Sequence, residues 1–246
     1  LQILNLADNE LVDINALSGL PLRELNLSNN QITDTLALSG FTELTALYLS
    51  GNKNIPADQA TSIIDANNYL THIGLNDIDF SGSYFGGNLP VFFNNQTGQA
   101  YKLIQLEMAN TGLWNIIAID NYTHIKKINL ANNKLIDISE FTYMFYMQIT
   151  ELNLSGNQLT DITPLPGYSQ LKKLNISNNR FDDPYISTQV SDIIRDNPYL
   201  THLKLGGINL QVFHLFENPV TGMPYRLIEL DLNNTGLHYL PFEFRQ

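Results

Sequence analysis

The stretch Leu22–Ile32, LRELNLSNNQI, decides the fold of this chain. It places leucine or isoleucine at its first, fourth, sixth and eleventh positions and asparagine at its ninth. Near copies are LQILNLADNEL at Leu1–Leu11, IKKINLANNKL at Ile125–Leu135, ITELNLSGNQL at Ile149–Leu159 and LKKLNISNNRF at Leu171–Phe181. A phased pattern of this kind indicates a repeat architecture, in which each repeat buries its apolar side chains against its neighbours.

The copies extend along nearly the whole chain. One that begins at Leu44 carries an extra residue, and weaker copies begin at Leu70, Leu103, Leu200 and Leu227. The leucines at the fourth and sixth positions lie on one face of a short strand, because side chains alternate with a period of two along a strand. Since one short strand cannot bury that face alone, the pattern predicts parallel strands stacked coil upon coil.

These repeats resemble the leucine-rich repeat family, and they are similar to its 22-residue subclass of internalin-like and phosphatase-regulating proteins, with some longer, irregular repeats. The resemblance implies an α/β solenoid, a horseshoe whose concave side is a parallel β-sheet of about ten strands. Its convex side would consist of 3₁₀ turns and short helices. The resemblance also implies a buried ladder of asparagine side chains between the coils, formed by Asn9, Asn30, Asn52, Asn133, Asn157 and Asn179.

Two longer repeats carry helical patterns on the convex side. Apolar residues at helical spacing predict helices over Asp58–Ala66 and Ser187–Arg195. Two groups of aromatic residues are expected to lie mostly in the convex core, with binding of a partner or a glycan as the alternative. The groups are Tyr84, Phe85, Phe92 and Phe93, and Phe141, Tyr143, Phe145 and Tyr146.

A longer period is superimposed on the repeats. YLTHIGL at Tyr69–Leu75 is mirrored by YLTHLKL at Tyr199–Leu205. We therefore interpret the chain as one leucine-rich-repeat domain, residues 1–246, made of two duplicated five-repeat units, 1–124 and 125–246. Because both ends of the sequence fall in phase with this long repeat, we expect the chain to be a fragment of a longer array.

Composition excludes several classes of function. The 246 residues include 13 basic and 24 acidic residues, so the net charge of −11 disfavours binding to nucleic acid. The absence of cysteine excludes disulfides, thiolate metal sites and cysteine nucleophiles. No apolar run approaches the length that spans a bilayer, so membrane insertion is not expected.

We find no catalytic motif and predict that the chain is not an enzyme. Metal-protease, nucleotide-binding, hydrolase and dinucleotide-binding signatures are missing from the sequence. His72 and His202 occupy equivalent strands five apart, too distant to share a metal ion. We therefore expect no catalytic residues, no metal and no cofactor.

The concave face is the usual recognition surface of the family that the sequence resembles. The fifth position of each repeat lies between the two strand leucines, and asparagine occupies it in five of the ten repeats, at Asn5, Asn26, Asn129, Asn153 and Asn175. This column of asparagines can be simple repeat consensus. Candidate ligand-binding residues are those that replace asparagine at the fifth position, together with charged or histidine residues at the third position of a repeat. The set is Tyr48, His72, Glu107, Lys127, Glu151, Lys173, His202, Lys204 and Asp231.

These observations favour a non-catalytic recognition or scaffold module that binds a protein partner through the concave face. The acidic charge favours a basic partner, and a glycan is a second ligand class. Missing cysteine and the internalin-like resemblance favour a bacterial protein, secreted or on the cell surface. Two alternatives stay open: end-to-end assembly into a filament or surface layer, and a targeting domain of a larger enzyme.

Overall fold

The computed structural model of the chain describes residues 1–93, 97–165, 167–181, 183–210 and 227–239. It divides into two compact units, Leu1–Ile125 and Lys126–Gln246. The strands of the first unit are parallel and are paired in chain order: β1 (Ile3–Asn5), β2 (Glu24–Asn26), β3 (Ala46–Tyr48), β4 (His72–Gly74) and β5 (Gln105–Glu107).

The second unit repeats this arrangement. Its strands are also parallel and paired in chain order: β6 (Lys127–Asn129), β7 (Glu151–Asn153), β8 (Lys173–Asn175), β9 (His202–Lys204) and β10 (Glu229–Asp231). In both units the register aligns the middle leucine or isoleucine of each strand with that of the next, as Leu25 aligns with Leu47. The predicted solenoid with about ten parallel strands is confirmed.

The backs of the coils carry 3₁₀ turns and two helices, as predicted. The 3₁₀ segments are Asn15–Leu17, Leu36–Leu38, Ile119–Asn121 and Ser139–Met144. Helix α1 spans Ala57–Ala66 and helix α2 spans Ile186–Asp196, which confirms both predicted helices to within one residue at each end. Each helix buries an isoleucine pair, Ile63 and Ile64 in α1 and Ile193 and Ile194 in α2.

The expectation that the aromatic groups lie mostly in the core is wrong. Phe92 and Phe141 are buried and Phe85 is half-buried. The exposed members of the two groups are Tyr84, Phe93, Tyr143, Phe145 and Tyr146. The interior, which consists mostly of leucine and isoleucine, instead includes buried tyrosines whose hydroxyl groups donate to backbone carbonyl oxygens, as Tyr101 does to Ile64 and Tyr168 to Phe141. A buried hydroxyl that finds a carbonyl in this way avoids the cost of an unsatisfied polar group.

Asparagine side chains connect successive coils in both units. In the first unit, the Oδ1 atom of Asn52 accepts the Ile32 amide at 3.1 Å, and its Nδ2 atom donates to the carbonyls of Leu27 and Leu49, both at 2.9 Å. In the second unit, Asn157 accepts the Leu135 amide at 3.0 Å. Its Nδ2 atom donates to the carbonyls of Leu130 and Leu154.

The remaining asparagines vary in their burial. Asn30 and Asn133 are buried, and Asn179 is half-buried. Asn9 is exposed, which departs from the expectation of a buried ladder. Its amide donates to the Leu6 and Ala7 carbonyls of its own coil, whereas the buried Asn30 also accepts the Leu11 amide and donates to the Leu6 carbonyl of the coil before it.

A turn in the left-handed region follows every strand. The residues with positive φ at this position are asparagine, aspartate or glycine, and they include Asn29 at +55° and Gly51 at +80°. These residue types tolerate that backbone conformation best. Among the described residues, no helix is both long enough and apolar enough to cross a membrane.

Candidate functional site

The first and third residues of each strand project from the sheet face that lies opposite the leucine core, and we call this surface the strand face. The register places them in two columns. In the first unit, the first residues align as Ile3, Glu24, Ala46, His72 and Gln105, and the third residues as Asn5, Asn26, Tyr48, Gly74 and Glu107. All of the predicted ligand-binding residues lie in the equivalent columns of one unit or the other.

The asparagines of the third column have a structural task. The Oδ1 atom of Asn26 accepts the amide of Ser28, two residues further on, at 3.0 Å. Asn153 and Asn175 make the same bond to Ser155 and Ser177 at 3.1 Å each. Such a bond turns the chain at the strand end. The asparagine column therefore belongs to the hydrogen-bonded backbone structure that the repeats share, which we call the frame.

Four third-column positions are released from this task. They are Tyr48, Gly74 and Glu107 in the first unit and Lys204 in the second, none of which carries an Asn or Asp side chain. Between β3 and β5, bonds between coils take over. The Ser50 hydroxyl accepts the Asn76 amide at 3.1 Å, and Asn76 Oδ1 accepts the Ala109 amide at 2.7 Å. Three adjacent strands of the first unit are thus free to present other side chains.

Tyr48 lies over the glycine of the neighbouring strand. A Cβ atom placed on Gly74 would lie 2.7 Å from the Cδ1 atom of the Tyr48 ring, so a larger residue at this position would displace the ring. The pKa of the half-buried Tyr48 hydroxyl is raised, first by burial and then by the negative charges of Glu24 and Glu107. Carboxylates from β2 and β5 therefore both act on the phenol.

Two polar side chains complete this part of the first unit. The Nε2 atom of Gln105 donates to Oε1 of Glu107 at 3.0 Å, which orients the carboxylate. The Nδ1 atom of His72 lies 2.8 Å from the hydroxyl of Thr71. We call the set Glu24, Ala46, Tyr48, Gly74 and Glu107 the tyrosine patch.

The second unit carries ion pairs at the corresponding strands. Glu151 lies between two lysines, with Oε1 at 3.1 Å from the Nζ atom of Lys127 and Oε2 at 3.5 Å from that of Lys173. Burial raises the pKa of Glu151, but the Lys127 hydrogen bond and the two positive charges outweigh it, so the net shift is downward. The carboxylate is held in its charged form.

A second network links β9 and β10. The Nζ atom of Lys204 lies 2.9 Å from Oε1 of Glu229, and the Nε2 atom of His202 lies 4.0 Å from Oε2. The hydrogen bond between Lys204 and Glu229 raises the pKa of the lysine and lowers the pKa of the carboxylate. Asp231 accepts the Asn233 amide at 3.0 Å, and this bond is the main reason why its pKa is lowered.

The predicted residues thus separate into two groups. Tyr48, His72 and Glu107 lie in the first unit, and the other six predicted ligand-binding residues lie in the second. Sequence reasoning missed Glu24 and Gln105, which ordinary polar repeats also contain at exposed positions. It also missed the part played by Gly74, although a glycine in a column of polar residues is a visible departure.

The chemistry of the strand face suits binding. Among the described residues, no group of three or more histidine, cysteine or acidic side chains is arranged to hold a metal ion. The strand face offers a ring, carboxylates, ammonium groups and amides on a backbone fixed by its own hydrogen bonds. Such a surface can recognise charged and polar side chains of another molecule without rearranging.

Family and structure comparisons give a consistent result. The family model described as Leucine Rich repeats (2 copies) matches residues 22–65 and 148–193. No curated protein matches the sequence. The fold is similar to that of the internalin InlF from Listeria monocytogenes, with 25% identity over 93% of this chain and a TM-score of 0.58.

Two further solved structures share the fold. A leucine-rich-repeat protein of Leptospira interrogans is 19% identical over 95% of this chain, with a TM-score of 0.65. The functional domain of Listeria monocytogenes InlJ is 20% identical over 97% of this chain, with a TM-score of 0.53. This chain spans less than two thirds of each of these proteins, 66% of the InlF chain and 55% of each of the other two.

Proposed function

We propose that this chain, which is a leucine-rich repeat protein, is a non-catalytic recognition module that binds another protein through its strand face. The observation that carries the proposal is the release of three adjacent third-column positions, Tyr48, Gly74 and Glu107, from the strand-ending bond. Positions that no longer serve the frame are available for a ligand.

In the first unit the candidate surface is the tyrosine patch, and in the second unit it is the set of charged side chains on β6 to β10. Tyrosine contributes a large apolar area at a small entropic cost, which makes it frequent at energetic centres of interfaces. The −11 net charge favours a basic partner, since opposite charge accelerates encounter and makes binding sensitive to salt. A glycan is the second ligand class that the half-buried ring of Tyr48 can bind.

We further propose that the protein is bacterial and acts outside the cell or on its surface. The support is the likeness of the fold to proteins of Listeria monocytogenes and Leptospira interrogans. The cysteine-free composition agrees with a bacterial surface protein that needs no disulfides. Fractionation of the source cells, followed by detection with an antibody against the chain, tests this assignment. Detection in the cytoplasmic fraction alone would contradict it.

Affinity measurements with matched variants test the binding face. A partner identified by capture on the immobilised chain is titrated against the wild type and against the Tyr48→Ala, Glu107→Gln, Lys204→Ala triple variant. We expect the triple variant to bind at least about tenfold more weakly, as loss of a central aromatic anchor does.

The control removes exposed aromatic side chains from the back of the second unit. Tyr143 is exposed in the 3₁₀ segment and Tyr146 is exposed in the turn after it, and their replacement by alanine leaves the strand face intact. We expect this variant to bind the partner as the wild type does. Weaker binding by this variant, with full binding by the triple variant, would move the site to the back of the coils.

A further inference from the structure

We propose that a groove on the back of the first unit binds an arginine side chain of a partner protein, with the guanidinium group at Asp58 and the methylene groups against Leu36. The groove lies between the 3₁₀ segment Leu36–Leu38 and helix α1, and none of its residues belongs to the strand face. The inference therefore goes beyond the proposed function and does not depend on it.

The groove has a volume of about 270 Å³ and a buried base. Thr35 and Ile63, which are 2% and 3% exposed, form this base, whereas Leu36 and Ser62 line the groove nearer to the solvent. Pockets for small molecules usually have volumes of about 300–1,000 Å³. The groove therefore suits one long side chain, and Leu36 and Ile63 give it an apolar surface against which methylene groups can pack.

The polar atoms of the groove mostly accept hydrogen bonds. The hydroxyl of Thr35 donates to Oε1 of Gln59 at 3.2 Å. The hydroxyl of Ser62 donates to the backbone carbonyl of Asp58 at 2.7 Å. Each hydroxyl has only one hydrogen, so both oxygens can now only accept, as the carboxylate of Asp58 does. Ser39 and the amide nitrogen of Gln59 can still donate, but the charge of Asp58 disfavours an anion, so the groove suits a cation with several donors.

The carboxylate of Asp58 is available for such a cation. Asp58 lies in the first turn of α1, and among the residues that the structure describes the one hydrogen bond that its side chain accepts comes from the Tyr84 amide. At 3.5 Å this bond is long and therefore weak. Helix α1, ADQATSIIDA, contains no lysine or arginine that could pair with the carboxylate.

Helix α2 of the second unit allows a direct comparison, because it is held to its coil in the same way. In the first unit, Oε1 of Gln59 accepts the Thr35 amide at 3.1 Å. In the second unit, Oε1 of Gln189 accepts the Ile162 amide at 3.3 Å. The two glutamines are therefore equivalent, and the residues of the two helices can be matched by counting from them.

The matched helices differ in charge. Six residues after its glutamine, α2 carries Arg195, which pairs with both Asp192 and Asp196. The residue at the same place in α1 is Asp65. The second unit thus supplies an arginine to the carboxylates of its own helix, whereas α1 supplies none to Asp58.

Arginine fits the groove better than lysine does. A guanidinium group presents five donors in one plane, which can reach both the carboxylate of Asp58 and the oxygen of Ser62, whereas an ammonium group is a compact point charge. The guanidinium is also weakly hydrated, so it loses less when it lies beside an apolar side chain such as Leu36. The net charge of −11 favours the approach of a basic partner.

An NMR titration of the labelled chain with acetyl-Ala-Arg-Ala amide, at an ionic strength of about 20 mM, tests the inference. The amide resonances of Leu36, Gln59 and Ile63 should shift most. Two matched peptides replace the arginine by lysine or by citrulline, which has nearly the same shape but no charge. We expect the arginine peptide to bind about threefold more tightly than the lysine peptide and about tenfold more tightly than the citrulline peptide. Equally tight binding of either matched peptide, or no shifts around the groove, would overturn the inference.

The first variant removes the charge of the groove. Asp58→Asn should weaken binding of the arginine peptide about tenfold, to the level of the citrulline peptide. Glu43→Gln is the matched control, since Glu43 is exposed in the same unit, outside the groove, and its replacement changes the net charge equally. We expect this control to bind within about twofold of the wild type. Equal weakening by both variants would overturn the inference, because the peptide would then respond to net charge alone.

The second variant removes the apolar wall. Leu36→Ala should weaken binding of the arginine peptide about threefold, because the methylene groups lose a surface to pack against. Val12→Ala removes another exposed apolar side chain of the first unit, at a position outside the groove, and should leave binding unchanged. Weakening by Val12→Ala with none by Leu36→Ala would contradict the assignment.

The strand-face triple variant Tyr48→Ala, Glu107→Gln, Lys204→Ala separates this inference from the proposed function. It keeps every residue of the groove, so it should bind the arginine peptide as the wild type does. Loss of peptide binding in this variant would place the peptide on the strand face and overturn the inference. If Asp58→Asn leaves peptide binding unchanged while the triple variant abolishes partner binding, the inference fails and the proposed function stands.

Discussion

The strand face of the first unit presents a tyrosine, two carboxylates and two small residues, Ala46 and Gly74. In the second unit the positions of those small residues carry Lys173 and Lys204, which bind acidic side chains. The backbones beneath are alike. In both units a threonine before a strand donates its hydroxyl hydrogen bond to the preceding coil, as Thr45 does to Arg23 and Thr150 to Lys126. The frame and the strand face thus vary independently of each other.

The energies explain this independence. A buried asparagine that loses its partners leaves several backbone groups unsatisfied, at a cost of about 1–3 kcal/mol for each group. An exposed ion pair contributes only about 0–1 kcal/mol. Changes in the ladder therefore cost more stability than changes in exposed ion pairs, so the strand faces of the two units can differ while the ladder stays the same.

The largest expected effect tests whether the frame is common to both units. Asn52→Ala and Asn157→Ala should each lower the free energy of unfolding by about 2–4 kcal/mol, because each removes three hydrogen bonds to buried backbone groups. Urea unfolding followed by circular dichroism measures the change. A loss confined to one variant would show that the two frames differ in strength.

A threonine at the ladder position gives the control. Thr235 replaces the ladder asparagine in the last coil and makes one bond, from its hydroxyl to the Leu232 carbonyl at 2.8 Å. Thr235→Val should therefore cost only about 1 kcal/mol in the same unfolding measurement. A cost equal to that of Asn157→Ala would contradict the account of the ladder.

The next effect concerns the turns after the strands. Gly51 (φ +80°) and Gly156 (φ +67°) lie against the side chains of Asn29 and Asn132, and an added Cβ would lie 2.2 Å from the Oδ1 atom in both cases. Gly51→Ala and Gly156→Ala should each cost about 2 kcal/mol, from backbone strain and the displaced asparagine. Gly19→Ala, at φ +79° with open space around it, should cost about half as much in thermal unfolding.

A smaller effect separates the two strand faces. Glu151→Gln removes a carboxylate that binds two lysines, and it should lower the free energy of unfolding by up to about 1 kcal/mol. The matched substitution Glu24→Gln should cost less, because the positions of the two lysines are occupied by Ile3 and Ala46. The Glu151→Gln cost should diminish at about 1 M salt. Equal costs for the two substitutions would remove the distinction between the faces.

The smallest effect is the pH dependence of that carboxylate. The pKa of Glu151 is lower in the folded protein than its ordinary value, so its contribution to stability is present above the unfolded pKa of about 4.3 and is lost as the pH falls through the folded pKa. The stability difference between the wild type and Glu151→Gln should therefore be constant above about pH 5 and shrink below about pH 4. Urea unfolding at several pH values measures it. A difference that grows on acidification would have the wrong sign.

Much of the frame could be predicted from the sequence. The leucines at Leu25 and Leu47 determine the strands and their register because alternation leaves one buried face. Helices α1 and α2 follow from apolar residues at helical spacing. Exposure of the aromatic residues near Tyr143 could not be predicted, because it depends on which rings the neighbouring coils have room to bury.

The strand face was only partly visible in the sequence. Tyr48 and Glu107 stand out from an asparagine column, but the reason for that column is the bond from Oδ1 to a backbone amide, which requires coordinates. The sequence placed Lys127, Glu151 and Lys173 in one column without revealing that Glu151 binds both lysines. The tyrosine patch depends on a contact between Tyr48 and a glycine 26 residues further along the chain, which spacing alone does not indicate.

The most direct test of the central claim, that the two units share a frame and only the second has lysines beside the acidic side chains of its strand face, is an NMR titration of the labelled wild-type chain with acetyl-pentalysine amide, a basic probe. Amide resonances of β2 to β5 should shift, with the largest changes at Tyr48 and Glu107, while those of β7 to β9 should stay in place. Shifts of equal size on the strand faces of both units would contradict the account, because the internal lysines would then make no difference.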